Sequence, residues 1–581
     1  MPKINKFKQG IDMYILGITC YAHESTCSLI KDGKIICVIE EERLNREKHT
    51  WRYPKLAIQE CLDIGSITID DIDHITYFWK PWKEITGNIY HMLRYFPASL
   101  NLLRSESGGN SLLFVRRFIM MMNVGKKIKE QFNLKRKPKI IFVEHHLAHA
   151  ASAFFVSPYS DAAILTFDGR GESTSTMLSY GQNNTITKIK EVKVPHSLGH
   201  LYSAITDYLG FKSFYDEWKV MGLSAYGKDT YVDDFKDLIV YLGSGEYILN
   251  LKYFKFHTHG TTLWMSDYFY KKFGPKRAYT DEYTQHTYDI ALALQKLIEN
   301  IGVKIANDLY SITKSKNLCV AGGVALNVLL NKSLVSKTPF ENYFFQPISN
   351  DAGPSFGSSL YYYYHTLKHN KRFDFNSVYL GTEYSNNDIE SVLNDFSLNY
   401  KKTKNISKVT AKYIAEGKIV GWFQGRMEAG PRALGNRSIV SDSRSKHMKD
   451  RLNERVKRRE FFRPFAPSVL EEKVFEYFDM PKNQLSPYMM LVGDVVKDKR
   501  DIIPAVTHAD NTARVHTVSK EVNPKYWELI SEFEKLTGVA VIINTSFNEN
   551  EPIVHTPKQA VECFLRTDFD VLSIGDYIVT K

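Results

Sequence analysis

The stretch Ala162-Ala163-Ile164-Leu165-Thr166-Phe167-Asp168-Gly169-Arg170-Gly171-Glu172 runs an apolar strand directly into an acidic, glycine-rich turn. A strand that ends this way places a carboxylate and flexible backbone at the mouth of a sheet, where ligands bind. A related pattern opens the chain: Tyr14–Thr19 and Cys27–Ile30 read as strands, Lys31-Asp32-Gly33-Lys34 as a hairpin turn, and Ile35–Ile39 as the returning strand. Two such openings predict a duplicated α/β lobe with its site between the halves. Working outward, Asp289–Lys314 carries apolar residues at a helical period, and Asn317–Val320 is a strand that enters Ala321-Gly322-Gly323-Val324-Ala325-Leu326-Asn327. The first lobe is expected to end near Tyr361–Tyr364. Residues 371–408 turn polar and read as a linker with one short helix, and a second domain, 409–581, begins with a helix and the strand Ile419–Phe423.

The 581 residues are 43% hydrophobic and 24% charged, which excludes a disordered, collagen-like or mainly coiled-coil chain. No run reaches the ~20 apolar residues a membrane span needs; the nearest, Leu112–Met122, is broken by Arg116 and Arg117. Met1–Gln9 lacks a signal-type apolar segment, and six cysteines form no C-x-x-C pair, so the reading is a cytoplasmic protein with reduced thiols. The net charge of +11 is local. Arg426–Arg463 holds 12 basic and 5 acidic residues, and Lys126–Lys139 holds 7 basic and 1 acidic. The second segment reads as a solvated face. The first, punctuated by Gly and Pro, reads as an anion pocket.

The densest chemistry lies in Glu144-His145-His146-Leu147-Ala148-His149-Ala150-Ala151-Ser152-Ala153-Phe154. On a helix His145 and His149 share a face and can reach one metal, with Asp168 and Asp351 as candidate carboxylates. A mixed imidazole and carboxylate set suits a first-row divalent ion. The alternative is that these histidines merely satisfy a buried helix; three histidines within five residues, followed by small side chains, favour the metal. The turn at Gly322 and Gly323 and the turn at Asp168–Glu172 are each compatible with phosphate, and together they favour a nucleotide. Ile543-Asn544-Thr545-Ser546-Phe547-Asn548 ends a strand and could orient a small planar group or form an ordinary side-chain-bonded turn.

With these residues in view the sequence resembles the NodU/CmcH family of ATP-dependent O-carbamoyltransferases over nearly its whole length. The motifs are HHLAHAASAF (145–154), FDGRGE (167–172), EWKVMGLSAYG (217–227), GGVALN (322–327), GRMEAGPRALGNRSI (425–439), REFFRPFAPSVL (459–470), HADNTARV (508–515) and NTSFN (544–548). The resemblance implies an actin-like N-terminal domain, 1–370, related to threonylcarbamoyl transferases, and a C-terminal YrdC-like α/β domain. It implies that carbamoyl phosphate and ATP, with Mg²⁺, yield carbamoyl adenylate in the second domain, and that a small-molecule hydroxyl acceptor attacks at a metal site in the first, iron by resemblance.

The same resemblance assigns His145, His149, Asp168 and Asp351 to the metal and His23 to a catalytic base. Gly169, Glu217, Lys219, Gly322, Gly323 and Asn327 fit first-domain nucleotide contacts. Arg426, Arg432, Arg437, Lys457, Arg463, Arg514 and Asn544 fit the ATP and carbamoyl phosphate site. Two departures stand out: Glu24 where the family commonly has Asp, and His516 where it commonly has Gln. Two other functions use similar folds, tRNA threonylcarbamoylation by a fused enzyme and a non-catalytic nucleotide-binding regulator. The basic residues lie in pocket-like loops without an RNA-facing stripe of stacking aromatics, so neither a nucleic-acid nor a membrane partner is expected, while a homodimer is compatible with the tyrosine run.

Overall fold

A computed structural model describes residues 12–103, 111–481 and 484–581. The N-terminal Met1–Gln9 reading lies outside the described residues. Tyr14–Thr19 (β1), Thr26–Lys31 (β2) and Lys34–Glu40 (β3) form an antiparallel meander, and His74–Tyr77 (β4) and Ile140–Phe142 (β5) extend it in parallel, in the order β3-β2-β1-β4-β5. Asp32 and Gly33 both take positive φ, 49° and 86°, which is the turn that a two-residue hairpin loop requires. The second sheet repeats the arrangement: Asp161–Phe167 (β6), Thr174–Gln182 (β7) and Thr185–Lys193 (β8) form the meander, and Asn317–Ala321 then Asn342–Phe345 add in parallel on the other side of β6. This repeated order is the duplicated actin-like domain.

Two helices join the halves. His145–Phe154 is buried along its whole length and packs on the second sheet, while Gly353–Leu360 packs on the first. They meet back to back because one partner lacks a side chain at the crossing: a Cβ on Gly357 would sit 2.1 Å from the Ala148 carbonyl oxygen. Gly17 does the same for β1, where a Cβ would sit 2.0 Å from the Ser355 carbonyl oxygen. The alanines and serines that follow His149 are thus a close-packing surface. The long helix Gln285–Thr313, starting four residues before the expected position, covers the second sheet with Ile290, Leu294, Ile298, Ile301 and Ile305.

The C-terminal domain is built on a ten-stranded sheet whose centre is Val420–Phe423, Arg437–Asp442, Val541–Ser546, Ala466–Leu470 and Thr512–Val518. The segment expected as a linker is folded into it. Asn386–Asp395 is a helix, and Tyr400–Lys402 pairs with Tyr577–Thr580 at the sheet edge, so the polar composition of 371–408 reflects an edge strand and a surface helix. The domains are fastened by reciprocal arginines. Arg43 donates to Gly430 O (2.9 Å), Arg46 to Pro552 O and Ile553 O (2.6 and 2.9 Å), and Arg426 from the second domain to Ile36 O (3.0 Å).

Tyr363 and Tyr364 of the tyrosine run lie in the first-lobe core, and Tyr364 donates to Gly33 O (3.3 Å). All six cysteines are buried free thiols. Among the described residues no helix is long and apolar enough to cross a membrane.

Candidate active site

The first-lobe cleft gathers four side chains from three elements. His145 and His149 come from consecutive turns of one helix, Asp168 follows β6, and Asp351 precedes the helix Gly353–Leu360. One ligand atom from each lies within 4.8 Å of the other three. Both imidazole Nε2 atoms stand 3.0 Å from Asp168 Oδ2, with Asp351 Oδ1 at 3.7 and 3.6 Å.

Burial pushes the Asp168 carboxyl up, but the His145 hydrogen bond and the proximity of both imidazoles outweigh it and hold the group well below the usual carboxylate range. His149 is lowered by burial and raised further by Asp168 and Asp351, to about 9. Yet His149 Nε2 makes no hydrogen bond of proper geometry despite its close carboxylate, and the Nδ1 atoms of both histidines are also unpartnered. Two nitrogens and two carboxylate oxygens converging with an unspent buried lone pair fit a divalent metal. His146 points elsewhere: its Nδ1 accepts from Thr166 Oγ1 (2.7 Å) and its Nε2 donates to Thr174 O (3.1 Å), and burial lowers it to about 3.

The surroundings hold the ligands in place. Glu144, the residue before the helix, is ringed by Lys80, Lys83 and Lys188, which overcome its burial and lower it to about 2. Glu172 Oε1 accepts from the backbone N–H of His145 (3.1 Å) and of Lys80 (2.8 Å), tying the turn after β6 to the metal helix.

His23 lies beside this centre. Its backbone N–H approaches Asp351 Oδ2 (3.4 Å), and its Nε2 is 2.9 Å from Phe214 O. A carbonyl can only accept, so Nε2 carries the proton and Nδ1 is the basic nitrogen. Glu24 and His49 complete a second cluster of potential ligand atoms with His23, a grouping that sequence spacing did not signal because His49 arrives from a separate turn.

Of the residues expected to bind nucleotide in this domain, Gly169 and Gly323 flank the metal carboxylate: Gly169 N donates to Asp168 Oδ1 (2.6 Å), and a Cβ on Gly323 would lie 3.4 Å from the same oxygen. Gly322 has φ +93°, and a Cβ there would come within 2.0 Å of Phe167 O, so only glycine fits between β6 and the adjacent strand. Asn327 is occupied structurally. It caps the helix Val328–Lys337 by accepting from Leu330 N (3.0 Å) and exchanges two hydrogen bonds with Gln295. Glu217 accepts from Ser203 Oγ and Phe214 N. Lys219 bridges Asp216 and, across the domain boundary, Glu460 at 2.9 Å.

The second-domain cations divide into two groups. Arg426, Arg437 and Lys457 are spent on backbone carbonyls. Fully buried Arg437 donates to Gln424, Gly425, Asn436 and Thr382 carbonyls and lies 3.6 Å over the Phe423 ring; Lys457 binds the Ser546 and Asn548 carbonyls and Asn548 Oδ1. Arg432 and Arg514 remain available, and Arg463 beside them is paired with Glu460 (3.5 Å). Arg432 and Arg514 have no ion-pair or hydrogen-bond partner among the described residues, and all three Nε atoms are buried without an acceptor. Burial and then mutual repulsion push Arg514 well below the usual guanidinium range, with Arg432 and Arg463 as the repelling charges. Arg459, which residue type alone did not single out, joins them and is likewise lowered by burial and by Arg463 and Arg514. Glu460, 3.5 Å from Arg463, is the carboxylate paired within this group, so cationic charge is in excess, an arrangement that suits a polyanion.

Asn544, at the end of its strand, donates to Ala433 O (3.2 Å) and Ser468 Oγ (3.0 Å) and keeps a buried, unpartnered Oδ1. Ser468 Oγ also accepts from Tyr526 Oη (3.0 Å), so its own hydrogen goes to His516 Nδ1 (2.7 Å). His516 is therefore a neutral acceptor, and burial lowers it to about 3. A glutamine oxygen could accept the same hydrogen.

The sequence itself supplies the class. Residues 14–360 match the family model for the carbamoyltransferase N-terminus and residues 411–581 that for the carbamoyltransferase C-terminus. The chain belongs to the carbamoyltransferase family. It is 37% identical to nodulation protein NolNO of Sinorhizobium fredii over 97% of this chain and 79% of that one. It is also 39% identical to an uncharacterized Synechocystis protein over 98% and 97%, and 31% identical to one from Methanocaldococcus jannaschii over 98% and 99%.

Two outcomes follow. Purified His149→Ala should lose most of the tightly bound metal found in the wild type by elemental analysis, with its melting temperature little changed; equal metal content would contradict the site. Because the folded pKa of His516 lies below its ordinary 6.5, the unfolded chain takes up the proton first as pH falls. This contribution is complete above about pH 6.5 and is lost towards about pH 3, on the order of a few kcal/mol. His516→Gln should flatten that part of the pH dependence in chemical denaturation.

Proposed function

We propose that this protein is an O-carbamoyltransferase that activates carbamoyl phosphate with ATP and transfers the carbamoyl group to a hydroxyl of a sugar or natural product. The observation that carries the proposal is the buried arginine cluster in the second domain, in which Arg432 and Arg514 are unpartnered and which suits a multiply charged anion, set in a chain that also holds an imidazole–carboxylate centre in the first.

In the second domain, carbamoyl phosphate gives up phosphate to water and leaves carbamate. A carbamate oxygen then attacks the α-phosphorus of ATP, forming carbamoyl adenylate and releasing pyrophosphate. Arg432, Arg463, Arg514 and Arg459 neutralise the charge that these polyanions bring together and favour departure of pyrophosphate. Asn544 offers its free carbonyl oxygen to the carbamoyl NH₂, a group that needs an acceptor. In the first domain, the acceptor hydroxyl gives its proton to Nδ1 of His23 and its oxygen attacks the carbamoyl carbon, with AMP as leaving group. Phe214 O fixes the tautomer that makes Nδ1 basic. A divalent metal held by His145, His149, Asp168 and Asp351, iron on the family resemblance, would supply Lewis acidity. Gly169 and Gly323 let a phosphate approach the backbone beside these ligands, while Gly322 lets its turn pack against β6.

Lys219–Glu460 and the stacking of Arg463 3.8 Å over Trp218 join the two motifs EWK and REFFR. They favour a reading in which the two sites work within one chain. With ATP, carbamoyl phosphate and a panel of hydroxyl acceptors, pyrophosphate release should depend on carbamoyl phosphate; failure of carbamoyl phosphate to stimulate it would sink the proposal. Pyrophosphate release that requires threonine and tRNA would instead identify a threonylcarbamoylating enzyme.

A further inference from the structure

The helix Pro81–Arg94 is amphipathic in the opposite sense to a helix on an ordinary protein surface. Glu84, Asn88 and His91 face the body of the molecule, while Lys83, Thr86 and Arg94 are exposed. Buried Glu84 accepts from Trp79 Nε1 (3.0 Å) and pairs with Arg117, Asn88 accepts from Arg170, and His91 Nε2 donates to His257 O (2.7 Å). Its solvent face carries Trp82, Ile89, Tyr90 and Leu93 at helical spacing, with Leu93 73% and Tyr90 64% exposed. Phe96, 67% exposed, continues the face. The helix Ser111–Met122 packs beside it and turns Val115, Ile119 and Met122 outward, spaced by four and three residues. Single exposed apolar residues are ordinary; two neighbouring helices that both present their apolar stripes to solvent are not.

Basic charge adjoins this face. Lys126–Lys139, with 7 basic residues and 1 acidic, follows the second helix directly, and Lys137 Nζ donates to Met122 O (3.3 Å), seating the basic segment against the end of the apolar stripe. Lys126, Lys127, Lys129, Lys135, Arg136 and Lys137 are all exposed, and Arg94 and Arg116 are exposed within the face itself. The charge settles the occupant. A second copy meeting this surface about a twofold axis would oppose the same basic segments to each other. An anionic bilayer complements both features, with aromatic and aliphatic side chains at the acyl boundary and Lys and Arg among the headgroups.

We propose that this face docks the protein peripherally on a bilayer containing anionic phospholipid. It departs from the expectation of no membrane partner but needs no spanning segment: among the described residues no helix is long and apolar enough to cross a bilayer. The Asn88–Arg170 contact places the docking helix against the turn that carries Asp168, so the bound surface lies beside the first-domain site.

Full-length protein is sedimented with phosphatidylcholine vesicles that contain or lack phosphatidylglycerol. The expected result is at least about ten-fold more protein bound to the anionic vesicles, reversed by high salt, as several basic contacts require. Ile89→Ser/Leu93→Ser should abolish binding, and Lys135→Gln/Lys137→Gln should weaken binding to anionic vesicles, both at an unchanged melting temperature. The proposal is overturned if wild-type protein stays in the supernatant or binds neutral and anionic vesicles equally. It is overturned equally if light scattering shows a dimer that the apolar variant converts to monomer, which would assign the face to a second copy.

Discussion

The carboxylate of Asp168 is the constraint on which the first domain turns. One of its oxygens stands 3.0 Å from two imidazoles inside the protein, where a charge without partners would be prohibitive. To bring those imidazoles there, the helix His145–Phe154 must sit deep between the sheets, which requires Ala148 and its neighbours to be small and Gly357 to lack a Cβ. Asp351, the second carboxylate, arrives because the same close contact positions the start of the Gly353–Leu360 helix. The site and the packing of the two halves are one structural fact. A residue that widens the helix crossing would also spread the four donors.

The second domain meets the opposite problem, an excess of buried cation. It resolves this in two ways. Arg437, through its two terminal nitrogens, and Lys457 donate to loop carbonyls and so shape the GRMEAGPRALGNRSI and NTSFN turns. Arg432 and Arg514 are left without partners, at a free-energy cost that a bound polyanion would offset. The second-domain cations therefore divide between those that shape loops and those left without a partner.

Much of this was legible in the sequence because it is local. A four-residue spacing places His145 and His149 on one helical face, an apolar run delivers Asp168 to a strand end, and Asp-Gly marks the first hairpin. The duplication was legible because the same signals recur. What escaped depends on long-range packing. Residue type cannot say whether an arginine meets a carbonyl or a phosphate, so Arg426 and Arg437 looked the same as Arg432 and Arg514, and Arg459, though within a quoted motif, was not assigned to the site. Asn327 suits a phosphate turn by composition, but its cap to Leu330 and pairing with Gln295 occupy it. Residues 371–408 are polar because they lie at a sheet edge and a surface, which composition alone does not distinguish from a linker.

The central claim is a division of labour between an arginine site that makes an activated carbamoyl group and an imidazole–carboxylate site that transfers it. It is tested most directly by measuring carbamoyl phosphate-dependent pyrophosphate release and carbamoylated product side by side in His149→Ala and Arg514→Ala. The account predicts that His149→Ala retains pyrophosphate release and loses product, whereas Arg514→Ala loses both. Loss of pyrophosphate release in His149→Ala with its retention in Arg514→Ala would contradict it.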